Sequence, residues 1–174
     1  MRRVRYSVAM SLDAYIAGLN NEYDWIIMDP TIDFGALFSE FDTLLIGRKT
    51  FEVMNAGQGG SMPGMRVYVF SKTLGAEDFP DVTIVSDDVA ETVAALKAED
   101  GKDIWLFGGG ELFRHLLEAG LVDGVEVAVV PVLLGQGIPL LPGMNSRTQL
   151  ELTNTKTYPS GIVSLSYNVR RENA

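Results

Sequence analysis

The chain has no cysteine and only one histidine, His115, among its 174 residues. Without thiols there is no disulfide framework, thiolate metal site, iron–sulfur cluster or cysteine nucleophile. A lone histidine supplies no imidazole cage for a metal and argues against a Ser-His-Asp triad. Cations are scarce too: 14 Lys and Arg stand against 23 Asp and Glu, a net charge of -9. Such a charge repels nucleic acid and anionic membranes. No apolar run approaches bilayer-spanning length. The basic start Arg2-Arg3-Val4-Arg5 leads into strand-like residues rather than a leader segment. What is present is a globular composition, 47% hydrophobic and 21% charged. The expectation is a single cytoplasmic domain over residues 1–174 that acts on a small molecule or a protein partner and holds no metal.

Strand and helix patterns alternate, then the chain ends in strands. Val4 to Met10 reads as a strand, followed by a polar loop from Ser11 to Asp24. Asp29-Pro30 predicts a helix start, with Asp as cap and Pro at the first helical position. Phe34, Leu37, Phe38 and Phe41 would form its buried stripe. Thr43 to Ile46, Val67 to Phe70, Val82 to Val85, Ile104 to Phe107 and Val125 to Val132 read as further strands. Helices are predicted over 48–55, 87–100 and 112–117. Val163, Leu165, Tyr167 and Val169 alternate with polar residues, and Pro159-Ser160-Gly161 turns that strand back on Leu150 to Thr157. A parallel α/β sheet closed by an antiparallel hairpin is expected, with any ligand at the carboxyl ends of the strands.

Three strand ends carry groups suited to anions. Phe107-Gly108-Gly109-Gly110 runs from a buried strand into a helix, where bare backbone N–H groups can approach a ligand. It is neither a Rossmann fingerprint nor a Walker A loop; its plainer reading is a tight turn. Gly47-Arg48-Lys49-Thr50 places two cations in a helix's first turn, where the macrodipole favours anions instead. Phe70-Ser71-Lys72 offers a hydroxyl and a cation at a third strand end. Together they suit an extended, multiply phosphorylated ligand of dinucleotide size. His115 shares a polar helix face with Glu111, Arg114 and Glu118 and reads as idle.

These motifs, in this order, resemble the dihydrofolate reductase superfamily over nearly the whole chain, with Ala9 in the first strand and Ser11-Leu12-Asp13 opening a loop. Leu116 to Asp123 followed by Pro131-Val132-Leu133-Leu134-Gly135 is similar to the reductase domain of bacterial riboflavin biosynthesis. The resemblance implies a dihydrofolate reductase-like α/β fold: a central, mostly parallel sheet of about eight strands, helices on both faces and an antiparallel C-terminal hairpin. It implies NADPH, its 2′-phosphate and pyrophosphate meeting Gly47, Arg48, Lys49, Thr50, Ser71 and Lys72. Phe107, Gly108, Gly109, Gly110, Glu111 and Leu112 would form the cradle, with a cis peptide between the first two glycines. Ala9 and Ile16 would hold the nicotinamide end, and Trp25, Phe34 and Phe38 the substrate. Asp13 is similar to the acid that opens the strand-one loop; its other reading is a loop-entry Asp bonding local backbone. Asp33 is the nearest match for the helix carboxylate that helps protonate a pteridine in folate reductases, and reads equally as a first-turn acid stabilising the helix dipole.

Two departures bear on substrate. The later strand reads Val129-Val130-Pro131 without the family's threonine, and Phe113 stands where folate enzymes often have tyrosine. Dihydrofolate turnover is therefore expected to be slow or absent. The implied activity is NADPH-dependent hydride transfer to a pyrimidine- or pterin-like substrate, of the 5-amino-6-(5-phosphoribosylamino)uracil reductase type. The alternatives are a module that holds NADPH without turnover, or a true dihydrofolate reductase. Val125 to Val132 and Ile162 to Val169 are expected near the sheet's edge, which with the resemblance suggests a homodimer.

Overall fold

Side chains alternate along β1 (Val4–Ser11): Val4 and Tyr6 are fully buried on one face, while Arg5, Ser7 and Ala9 turn to the other. The computed structural model describes residues 1–58 and 61–170. After β1 come β2 (Tyr15–Ala17), α1 (Phe34–Ser39), β3 (Phe41–Gly47), α2 (Arg48–Gln58), β4 (Arg66–Phe70), β5 (Thr83–Val85) and α3 (Val89–Ala98). Then follow β6 (Asp103–Gly108), α4 (Gly110–Glu118), β7 (Gly124–Val130), β8 (Ile138–Pro139), β9 (Leu150–Thr157) and β10 (Val163–Val169). Eight strands form one sheet in the order β5-β4-β3-β6-β1-β7-β10-β9. Neighbours from β5 to β7 pair in parallel. β10 is antiparallel to β7 and to β9. This is the expected dihydrofolate reductase-like architecture.

The sheet separates two cores. Tyr6, Ile104, Leu106 and Val127 pack against Val93 and Leu96 of α3 and Phe113 and Leu116 of α4. Leu44, Ile46, Trp105 and Phe51 pack on the opposite face, the side of α1 and α2. Ion pairs fasten the amino-terminal end of the sheet. Buried Arg2 bonds Asp42, the Thr43 hydroxyl and the Lys102 carbonyl. Lys97 pairs with Asp123, and Arg5 grips Glu126 with two bonds at 2.7 and 3.0 Å.

Three expectations need correction. The first helix begins at Phe34, not Pro30, because Asp33 rather than Asp29 caps it, its carboxylate accepting the Ala36 N–H at 2.9 Å. No residue of that helix is buried, and Phe41 already belongs to β3, so the expected four-residue stripe does not form. The loop after β1 is anchored: β2 pairs with β8, the Leu12 N–H donates to the Val132 carbonyl, and the Leu140 N–H to the Ala14 carbonyl. As expected, β10 and β7 lie near the edge, second and third from it; the edge strand itself is β9, exposed along all eight residues.

Asp29 has a different task. Its carboxylate, 3% exposed, accepts the Thr31 N–H at 2.8 Å, the Thr31 hydroxyl at 2.6 Å and the Ser160 N–H at 2.9 Å. One side chain thus ties the approach to α1 to the β9–β10 turn. The bonds from Ser160 and Thr31 hold this carboxyl well below the usual carboxylate range. A depressed folded-state pKa adds stability above the unfolded value of about 3.9 and loses it as the pH falls toward the folded value. Asp29→Asn, which cannot titrate and offers one acceptor, should melt lower than the parent at neutral pH. Its melting temperature should also fall less steeply than the parent's between about pH 5 and pH 2, read by thermal unfolding.

Candidate functional site

β4, β3 and β6 lie side by side and run the same way, so their carboxyl ends meet. Gly47 pairs with Phe70, and Ile46 with Gly108. α2 opens directly at Arg48 and α4 at Gly110, which brings two helix N-termini to this end of the sheet. The three motifs of the sequence thereby become one surface. A Cβ on Gly47 would stand 3.7 Å from the Gly109 nitrogen, and one on Gly109 would stand 3.6 Å from Thr50 Oγ1. The Thr50 hydroxyl makes no hydrogen bond among the described residues and is free to serve a ligand.

The three glycines do three different things. Gly108 has φ +143 and forms the cis Gly108–Gly109 peptide bond that the resemblance implies. That φ requires glycine. Gly109 has φ -85, open to any residue. Its missing Cβ leaves open the space between the two helix starts. Gly110 is a packing glycine: a Cβ there would lie 2.7 Å from Pro142 Cδ and 2.8 Å from the Pro139 carbonyl oxygen.

The expected cofactor side chains divide in the same way. Arg48 and Lys49 are exposed, and Arg48 lies 3.6 Å from Glu52. They line a cleft of about 580 Å³ with Glu52 and Val53, facing Leu19, Asn21 and Ile138. Ser71 is buried, and its oxygen accepts the Thr73 and Leu74 N–H groups, so it shapes the turn that presents exposed Lys72. Ala9 is half-buried on β1, and Ile16 sits in the irregular register of β2 with β8. Phe107 is half-buried and edge-on to Trp105. Glu111 is turned to solvent and bonds Arg114, while the Leu112 side chain is buried in the core, leaving only its backbone for a ligand.

On the α1 side stands an aromatic wall. Phe38 stacks on Trp105 at 5.2 Å and lies 5.9 Å from Phe34. Trp105 was legible only as core; its signal was a second large aromatic two residues before Phe107, hence on the same face of the strand. Trp25 makes no ring contact with this wall; its indole N–H donates to the Glu22 carbonyl. Phe113 stacks on Tyr6 at 3.8 Å inside the other core. Asp33 commits one oxygen to the helix cap. Asp13 accepts the Ser11 hydroxyl at 2.6 Å and the Leu134 and Gly135 N–H groups, bonds that lower its pKa and fix the exit of β1.

The model of the RibD C-terminal domain matches residues 2–164. The chain belongs to the RibD C-terminal domain family. The uncharacterized protein YyaP of Bacillus subtilis (strain 168) is 36% identical, over 96% of this chain and 95% of its own. A Shewanella sp. PV-4 protein assigned by name to riboflavin biosynthesis has the same fold, with TM-score 0.82, 26% identity, and 98% of this chain and 100% of that one covered. Dihydrofolate reductase from Enterococcus faecalis, complexed with NADP(H), superposes with TM-score 0.68 at 17% identity, covering 97% of this chain and 97% of its own.

Within this family member, the cradle can be separated from its packing. Gly109→Ala should fold with nearly parental stability, since its Cβ meets only ordinary contacts, yet bind NADPH more weakly than the parent if this surface takes a dinucleotide. Gly110→Ala should lower stability by about 1–3 kcal/mol through overpacking. Denaturant unfolding and NADPH fluorescence titration of the two variants would check both outcomes.

Proposed function

We propose that this protein is an NADPH-dependent oxidoreductase that reduces a pyrimidine- or pterin-like ring compound, the reaction class of the riboflavin-biosynthesis reductases. The observation that carries the reading is the convergence of two helix N-termini, the Gly109 opening, the free Thr50 hydroxyl and three exposed cations on one surface. That donor set fits a dinucleotide carrying three phosphates. Arg48, Lys49 and Lys72 would hold the phosphates with the Thr50 hydroxyl, and Ala9 and Ile16 would flank the nicotinamide. Bound there, NADPH supplies a hydride.

The chain's own share is placement and exclusion of water. Phe34, Phe38 and Phe107, backed by Trp105, give a flat ring an apolar wall. Asp33, next to Phe34, has one carboxylate oxygen without a partner among the described residues and is the candidate proton donor. The capping and loop-fixing duties of Asp33 and Asp13 favour a second reading, a protein that holds NADPH without turnover. The reading also includes a homodimer, now through edge strand β9, where Leu150 and Leu152 are 41% and 55% exposed; sedimentation at two concentrations would show a monomer if it is wrong.

Two measurements separate these readings. NADPH should bind at least about ten-fold more tightly than NADH, since the 2′-phosphate gains charge-assisted bonds; equal affinities in a fluorescence titration would refute the cofactor assignment. Asp33→Asn keeps a good helix cap and should leave the melting temperature unchanged. It should slow NADPH oxidation by at least about a hundred-fold if the Asp33 carboxyl group, in its acid form, donates the proton. An active parent with an unaffected variant would remove Asp33 from the chemistry, and a parent inactive on every ring compound tried would favour the binding protein.

A further inference from the structure

A second cleft, of about 410 Å³, lies at the end of the sheet opposite the three strand-end motifs, where β7 starts and β10 finishes. Separate pieces of chain meet there. α4 supplies Leu117 and Glu118, with Gly120 just beyond; the run between β8 and β9 supplies Arg147, Thr148 and Gln149; the end of β10 supplies Val169 and Arg170. The Arg170 N–H donates to the Gln149 carbonyl at 2.9 Å, which lays the two arginine-bearing segments side by side. α4 starts at Gly110 and is nine residues long. The cleft is therefore about 13 Å of helix away from the glycine cradle.

Arg147 and Arg170 are exposed, and neither guanidinium has a partner among the described residues. In a chain of net charge -9 that sets them apart. Arg2, Arg5, Arg48, Arg66 and Arg114 each meet a carboxylate, and Arg3 bonds Asn168. The one carboxylate lining the cleft is that of Glu118, and Arg114 holds it from the same helix at 3.2 Å. Carbonyls at the end of α4 are engaged too. The Gly120 and Leu121 N–H groups donate to the Leu117 and Leu116 carbonyls, both at 3.0 Å. The cleft is left with two guanidiniums and the half-buried Thr148 hydroxyl, none bonded among the described residues, beside an apolar floor of Leu117, Val122 and Val169.

We infer that this cleft is a second binding site, for a small phosphomonoester with an apolar or aromatic body. Guanidinium forks match phosphate oxygens in pairs, the strongest hydrogen bonds a side chain offers such a group. Thr148 adds a hydroxyl donor, and the floor takes the carbon skeleton. Small-molecule sites span about 300–1,000 Å³. This cleft falls at the low end and is smaller than the 580 Å³ cleft beside Arg48 and Lys49, so its ligand is smaller than a dinucleotide. The inference stands apart from the cofactor reading and survives its failure.

Phenyl phosphate, titrated into the isotope-labelled protein and followed by amide NMR, tests this. The amides of Gly120, Thr148, Gln149 and Arg170 should shift saturably, and phenol should move none of them. Inorganic phosphate should bind the same place more weakly, because it leaves the apolar floor uncovered. Arg147→Gln and Arg170→Gln alter exposed side chains and should leave the melting temperature unchanged. Each should weaken phenyl phosphate binding at least about five-fold, and the pair at least about twenty-fold. Shifts confined to the Gly47, Lys72 and Gly109 amides, or a Kd at the cleft weaker than about 10 mM, would overturn the site. So would a double variant that titrates like the parent. Inorganic phosphate binding as tightly as the ester would mean an adventitious ion only, and would overturn the proposal equally.

Discussion

β3 is hydrogen-bonded between β4 and β6, and all three strands run the same way. Parallel pairing forces each connection to cross back over a sheet face, so all three exits open at one end. There the chain has placed its helix starts and the exposed cations Arg48, Lys49 and Lys72. Residues 47, 71 and 109, far apart along the sequence, become parts of one surface because of this register. A shift of one residue in β3 against β6 would invert the faces of a whole strand and separate Gly47 from Gly109.

The two ends of the sheet handle charge differently. At the amino-terminal end, Arg2, Arg5 and Lys97 are largely buried and each meets a carboxylate. Removing one partner there would strand a buried charge, a loss of about 3–5 kcal/mol. At the carboxyl end the cations are exposed and weakly engaged, as with Arg48 at 3.6 Å from Glu52. Such contacts contribute little to stability. The cations at that end are therefore available to a ligand without cost to the fold.

Much of this was legible in the sequence, for identifiable reasons. The continuous apolar run Ile104 to Phe107 reads as a covered strand, and period-two alternation marks β10 with the boundaries Val163–Val169. The strand-end motifs carry their chemistry in residue type alone. Strand order is another matter: local pattern says which residues form β7 and β10, not which neighbours they find, so their place near the edge was legible but β9 as the edge strand itself was not. β2 and β8 are three and two residues long, too short for any period to register. Asp29-Pro30 has the form of a helix start, yet Asp29 is drawn into a bond with Ser160, 131 residues away. The triple glycine shows the same limit, because only the approach of residues 139–142 makes Gly110 a packing position.

β1 sits in the middle of the sheet although it precedes both its partners by a long stretch of chain. Val4 pairs with Ile104 and Tyr6 with Val125. During synthesis this strand, which ends at Ser11, has no neighbour in the sheet until β6 at Asp103–Gly108 is made, and its fully buried Val4 and Tyr6 have no core to enter until then. Closing such wide loops is what makes folding slow, and waiting apolar strands are what chaperones bind. The strand that carries Ala9 is thus paired late in synthesis, and the surface that joins residues 47, 71 and 109 comes into being only when the sheet does.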